Sequence, residues 1–114
     1  MLTEFQILRL DGETGLKVVG ELDVATTPQL RAAFQGAVFA DQPVLDLSEL
    51  TFVDSCGIRA ILELARTQNG NGPVIIVNPS HAVSRVFDII GIDQHAGVEL
   101  RRTDVRGSVL QASS

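Results

Sequence analysis

Residues 44–58 read Val44-Leu45-Asp46-Leu47-Ser48-Glu49-Leu50-Thr51-Phe52-Val53-Asp54-Ser55-Cys56-Gly57-Ile58, and within this stretch the hydrophobic period changes. Val44 to Leu47 is short and apolar, as a buried strand requires, and residues 48–53 read as the connection that follows it. Beyond the turn, Ile58, Ile61, Leu62 and Ala65 fall at i, i+3, i+4 and i+7, one face of a helix that ends before Asn69-Gly70-Asn71-Gly72-Pro73. A strand passing through a polar turn into a helix is the building unit of an α/β fold.

The same logic extends outward. Phe5 to Leu10 and Leu16 to Gly20 are apolar-rich runs joined by Asp11-Gly12-Glu13-Thr14-Gly15, which predicts a hairpin with a glycine-containing turn. Leu30, Ala33, Phe34, Ala37 and Val38 share a helical face, so a helix is expected over about Pro28 to Phe39, capped by Thr27. Gly36 weakens that helix by up to about 1 kcal/mol relative to Ala, which leaves packing to hold it. Val74-Ile75-Ile76-Val77 is a β-branched run typical of a strand covered by helices. Asn78-Pro79-Ser80 offers capping chemistry for a third helix whose Val83, Val86, Phe87 and Ile90 share a face, with Gly91 as its C′ residue. Val98 to Arg102 reads as a last strand, Thr103 to Leu110 as a short terminal helix, and Gln111 to Ser114 as frayed chain. The expected order is ββαβαβαβ(α): a central mixed sheet with helices packed against it, one domain over residues 1–110.

Composition narrows the function classes. With 114 residues, 45% of them hydrophobic and 20% charged, the chain falls outside the composition of disordered proteins. No apolar run approaches the ~18 residues of a membrane span, so membrane insertion is not expected. The N-terminal Met-Leu-Thr-Glu-Phe lacks the basic and apolar regions of a signal peptide, and the single thiol, Cys56, cannot form an internal disulfide. A cytoplasmic location is the expectation. The net charge is −5 and all five aromatic residues are Phe. Nucleic-acid binding needs basic clusters with stacking surfaces, and the one basic cluster is Arg101, Arg102 and Arg106, so no nucleic-acid partner is expected.

Signatures of catalysis and cofactor binding are missing. There is no G-x-G-x-x-G and no G-x-x-x-x-G-K-[ST], and the Asn69 to Gly72 turn lacks the Lys and hydroxyl of a phosphate loop. His81 and His95 stand apart from each other and from Cys56, without metal-ligand spacing, and read as exposed polar residues. No cofactor and no metal are expected. A hydrolase nucleophile elbow has Gly two residues before its Ser, a position held here by Val53. A triad of Ser55 with His81 or His95 would make the chain a small serine hydrolase, but nothing in the sequence places either imidazole beside Ser55.

Ser55 is expected to cap the second helix by accepting from the amide of Gly57 or Ile58. A hydroxyl at a helix N-terminus also sits where free amides and the dipole favour an attached phosphate, which makes Ser55 a suitable phosphoacceptor. Cys56 at the same helix start reads either as a small buried hydrophobe or as a thiol of lowered pKa, the former favoured for want of a resolving partner. Asp46, between Leu45 and Leu47, is placed toward solvent by strand alternation.

From about Leu16 to Leu100 the chain resembles the STAS domains, and among them the small single-domain anti-sigma factor antagonists. The resemblance rests on Gly20-Glu21-Leu22-Asp23, on Leu45-Asp46-Leu47-Ser48 leading into Phe52-Val53-Asp54-Ser55-Cys56-Gly57-Ile58, and on the Pro79 to Gly91 helix ending in Ile90-Gly91-Ile92. It implies that Ser55 is phosphorylated by a partner anti-sigma factor that is also a kinase. Relatives often carry Ser or Thr at the next position, where Cys56 stands here. It further implies a partner switch: the unphosphorylated domain binds the anti-sigma factor and frees a sigma factor, and a serine phosphatase resets phospho-Ser55. ATP and Mg²⁺ would belong to the kinase. Residues adjoining Ser55, namely Asp23, Asp54, Cys56, Gly57, Ile58 and Arg59, form the expected partner-binding surface. The alternative within binding proteins is a STAS scaffold in a transporter or signalling complex; the expectation is a regulatory protein and not an enzyme.

Overall fold

The Leu10 amide returns to the Gly15 carbonyl at 2.9 Å and closes the first hairpin, joining β1 (Gln6–Arg9) to β2 (Gly15–Leu22) in antiparallel register, Gln6 opposite Val19 and Arg9 opposite Leu16. The structure is a computed structural model that describes residues 4–37, 39, 42–66, 73–95 and 97–101. After β2 come α1 (Thr27–Gly36), β3 (Val44–Asp46), β4 (Leu50–Val53), α2 (Ser55–Arg66), β5 (Val74–Val77), α3 (His81–Ile90) and β6 (Val98–Arg101). The sheet runs β1-β2-β3-β5-β6, parallel everywhere except at the first hairpin. The mixed α/β fold with a central sheet is therefore as the sequence pattern predicts.

One strand, β4, stands where the pattern reads only a connection. β2 is long enough to take two parallel partners in succession: Gly15 to Lys17 pair β3, and Gly20 to Leu22 pair β4. Between Gly20 and Glu21 the register slips, so that Gly20 faces Leu50 and Glu21 faces Phe52. Gly20 accommodates the irregularity at φ +105°, a backbone region open to glycine. Leu50 and Val53 are buried while Thr51 and Phe52 are exposed, which erases the period-2 signal of an ordinary strand. The Asp46 carboxylate, half-buried and turned to local use, accepts from the Ser48 amide at 2.9 Å in the turn linking β3 to β4.

The helix boundaries show two further differences. α1 begins one residue before Pro28, with Thr26 as its N-cap residue; Thr27, the expected cap, lies inside the first turn at 4% exposure. α1 ends at Gly36 because Ala37 turns extended, yet Phe39 returns to pack its ring 5.0 Å from that of Phe34. α3 follows expectation: the Ser80 hydroxyl accepts from Val83 at its start, and Gly91, at φ +67°, terminates it by donating to the Phe87 carbonyl. The terminal helix expected over Thr103 to Leu110, the frayed end and the Asn69 to Gly72 turn lie outside the described residues.

A single apolar core joins the layers. Leu22, Leu45, Leu47, Leu50 and Ile76 of the sheet region meet Leu30 of α1, Ile61 of α2, and Val83 and Phe87 of α3, all essentially without solvent contact. α1 packs against α2, with Arg31 paired to Glu63 across them, and α3 packs against β4. Among the described residues, no helix is long and apolar enough to cross a membrane.

Candidate functional site

The site lies where β2 and β4 end. Leu22 is paired with Val53, so the next residues, Asp23 and Asp54, leave the sheet beside one another. The Asp54 amide donates to the Leu22 carbonyl at 3.2 Å and extends the pairing by one bond. The Asp54 carboxylate then accepts from the Gly57 amide at 2.9 Å, and its carbonyl accepts from Ile58 at 2.9 Å. Asp54, not Ser55, is thus the residue that caps α2. Ser55 is the first residue of the helix, exposed, and its hydroxyl takes no hydrogen bond from any described residue. Two adjacent capping residue types leave the assignment open in sequence, and the first one takes it.

Gly57 explains how α2 sits so close to the sheet. A Cβ at this position would lie 2.7 Å from the Leu22 carbonyl oxygen and 2.7 Å from Val53 Cγ2, distances that real side chains do not tolerate. Gly57 is buried beneath the site, so it shapes the site from below instead of offering a face to a partner. Cys56 is half-buried and unbridged.

The loop from β2 to α1 is locked by its own polar groups. The Asp23 carboxylate accepts from the amides of Ala25 at 3.0 Å and Thr26 at 3.2 Å. The Thr26 hydroxyl accepts from the Asp23 amide at 2.9 Å and donates to the Glu21 carbonyl at 2.8 Å. This binds Thr26 back to the strand end and presents Val24 to solvent at 69% exposure. Val24 carries no signal in the sequence, because a single valine in a turn looks like any other loop residue.

From Ser55 a groove of about 460 Å³ runs between α2 and α3. Ile58, Leu62, Val86 and Ile90 supply its apolar wall, and Asp54, Ser55, Arg59, Glu63 and Arg66 its polar side. Helical phase marks Ile58, Leu62, Val86 and Ile90 as core, but α3 buries only Val83 and Phe87 fully and leaves the other edge of its apolar face open. Glu63 is engaged by Arg31 of α1, whose Nε and Nη2 donate at 3.2 and 2.7 Å. Arg59 is exposed and forms no ion pair among the described residues.

Neither imidazole joins this constellation. His95 lies with Arg66 and Gly97 at the opposite end of α2, about 16 Å along the helix from Ser55 at 1.5 Å per residue. His81 opens α3 next to Ser80, whose hydroxyl bonds the carbonyl of Leu50 at the far end of β4 from Val53. A triad on Ser55 is therefore not assembled in this arrangement.

Comparison with known proteins identifies the family and the fold. The family model described as Mlab, STAS domain, matches residues 6–102. A curated relative, the anti-sigma F factor antagonist of Lysinibacillus sphaericus, is 31% identical over 93 residues, which cover 77% of this chain and 80% of the relative. The structure of the anti-sigma factor antagonist SpoIIAA in its unphosphorylated form superposes with a TM-score of 0.65 at 28% identity, covering 93% of this chain and 99% of that one. The Bacillus cell fate determinant SpoIIAA in its phosphorylated form gives 0.61 at 25% identity, over 90% and 94% of the two chains. On the family match, the relative and the shared fold, the chain belongs to the STAS domain family.

Proposed function

We propose that this chain is an anti-sigma factor antagonist whose binding to the anti-sigma factor is controlled by phosphate on Ser55. The observation that carries the proposal is the division of labour at the start of α2: Asp54 caps the helix, so the exposed Ser55 hydroxyl is left without a partner among the described residues. The two SpoIIAA structures, one unphosphorylated and one phosphorylated, supply the precedent in a protein of the same fold. In this proposal residues 1–110 act as one cytoplasmic, non-catalytic regulatory domain. The kinase is the anti-sigma factor itself, which brings the ATP and Mg²⁺, and a serine phosphatase restores the hydroxyl.

The switch is electrostatic. Phosphate adds about −1.5 to −2 charges at neutral pH, beside Asp54 and at the strand end that also carries Asp23. Within the fold, attraction to the helix N-terminus and repulsion from Asp54 nearly cancel. At an interface the dianion must shed water, and an unpaired buried charge opposes docking by several kcal/mol. Affinity therefore falls tenfold or more while the fold persists.

Incubation with candidate anti-sigma factor kinases and ATP, followed by mass spectrometry, tests the assignment. Phosphate is expected on Ser55 alone; Ser55→Ala should bind the anti-sigma factor constitutively, and Ser55→Asp should stay folded and bind less. Phosphate on Ser48 or Thr51 would move the switch. Anti-sigma factor binding that ignores phosphate on Ser55 would favour the scaffold alternative.

A further inference from the structure

We propose that Arg59 is the internal counter-ion of phospho-Ser55, so that phosphorylation also withdraws an arginine from the docking surface. The inference rests on the reading of Ser55 as phosphoacceptor and adds to it a residue whose role is to hold the phosphate.

The argument starts from spacing. Ser55 and Arg59 are i and i+4 on α2, which brings their Cβ atoms to about 5–6 Å, with the anion on the N-terminal side, the favourable order for such a pair. Both side chains line the same end of the α2–α3 groove and both are exposed. One turn further on, Glu63 would be the natural i+4 partner of Arg59, but the guanidinium of Arg31 already holds its carboxylate. Arg59 therefore has Ser55 within reach and, among the described residues, no acid of its own. The charged groups along the groove are Asp54, Arg59, Glu63 and Arg66, while α3 contributes only Val86 and Ile90, so Arg59 is the nearest cation on α2 to Ser55.

A phosphate on Ser55 gives Arg59 a charge-assisted partner, and the guanidinium can present two N–H donors to two phosphate oxygens. Two effects follow from one modification. The surface gains a dianion, and Arg59, able to meet an acidic group of the partner before phosphorylation, is drawn back along its own helix.

The test uses full-length protein carrying phosphoserine at position 55, installed during translation so that no kinase is required, and follows the phosphate by ³¹P NMR titration. Arg59→Gln should raise the second phosphate pKa by about 0.3, the shift that an i, i+4 ion pair delivers. Arg59→Lys should restore most of it, and Arg9→Gln, on β1, should leave it unchanged although it alters net charge equally. Identical titrations of the parent and Arg59→Gln, with both proteins folded by circular dichroism, overturn the proposal. A kinase that ignores Ser55 would defeat the wider reading and leave this measurement intact.

Discussion

The Asp54 carboxylate and the Gly57 amide lie 2.9 Å apart, and this bond makes Asp54 the residue that holds the helix while the neighbouring Ser55 hydroxyl has no partner among the described residues. Asp54→Ala should destabilise the fold by about 1 kcal/mol, the usual loss for an N-cap. Ser55→Ala should change stability by less than about 0.5 kcal/mol, as expected for an exposed side chain without partners. Urea melts of both variants check the division; equal losses would return the cap to Ser55.

Two glycines in helices should respond to alanine in opposite directions. Gly57→Ala forces a methyl against the Leu22 carbonyl and Val53, and overpacking of about 1–3 kcal/mol should outweigh the helix-propensity gain of up to about 1 kcal/mol. At Gly36 nothing lies within 4 Å of the added carbon, so Gly36→Ala should stabilise by up to about 1 kcal/mol. Denaturant midpoints read both signs.

Asp23 and Val24 should separate the shape of the loop from its grip on a partner. Asp23→Ala removes the acceptor of two loop amides and should lower both stability and anti-sigma factor affinity. Val24→Ala should leave the melt unchanged and weaken binding about fivefold, which corresponds to about 1 kcal/mol for the apolar area that the two missing methyl groups would have covered at an interface. Calorimetric titration beside thermal melts distinguishes them, and a Val24→Ala variant of full affinity would take this loop out of the interface.

Lys17 sets an alkaline signature. Its hydrogen bond to Glu49 holds the ammonium above its ordinary value of 10.5; desolvation acts against this, and the charges of Glu49 and Asp46 add to the rise. A raised folded pKa stabilises below the unfolded value, and that stabilisation is lost as pH climbs through the folded one. The stability gap between the parent and Lys17→Gln should therefore be constant from about pH 7 to 9 and close above the ordinary lysine value of 10.5, in melts run across that range.

Much of the fold is open to inspection in the sequence because the apolar periods are clean. α2 and α3 show helical spacing from Ile58 and from Val83, and β5 is a bare β-branched run. β4 is hidden, since the slip at Gly20 leaves Leu50 and Val53 buried three residues apart, a spacing that mimics neither strand nor helix. Cap positions are ambiguous for a chemical reason: Thr26-Thr27 and Asp54-Ser55 each offer two side chains able to accept from a helix amide. The groove is invisible because Leu62, Val86 and Ile90 have the spacing of core residues, and only the packing of α3 shows that one edge of that face stays open.

The close seat of α2 on the end of β2 has a kinetic consequence. With Gly57 pressed against Leu22 and the Asp54 amide tied to the same carbonyl, the platform under Ser55 is braced on the sheet, and we expect it to keep this shape when a partner arrives. Docking on a preformed surface needs no ordering step, so encounter should proceed at the rate of ordinary protein association, about 10⁵–10⁷ M⁻¹s⁻¹. The lifetime of the complex, and not the speed of finding it, then sets how soon a competing protein can take the partner over.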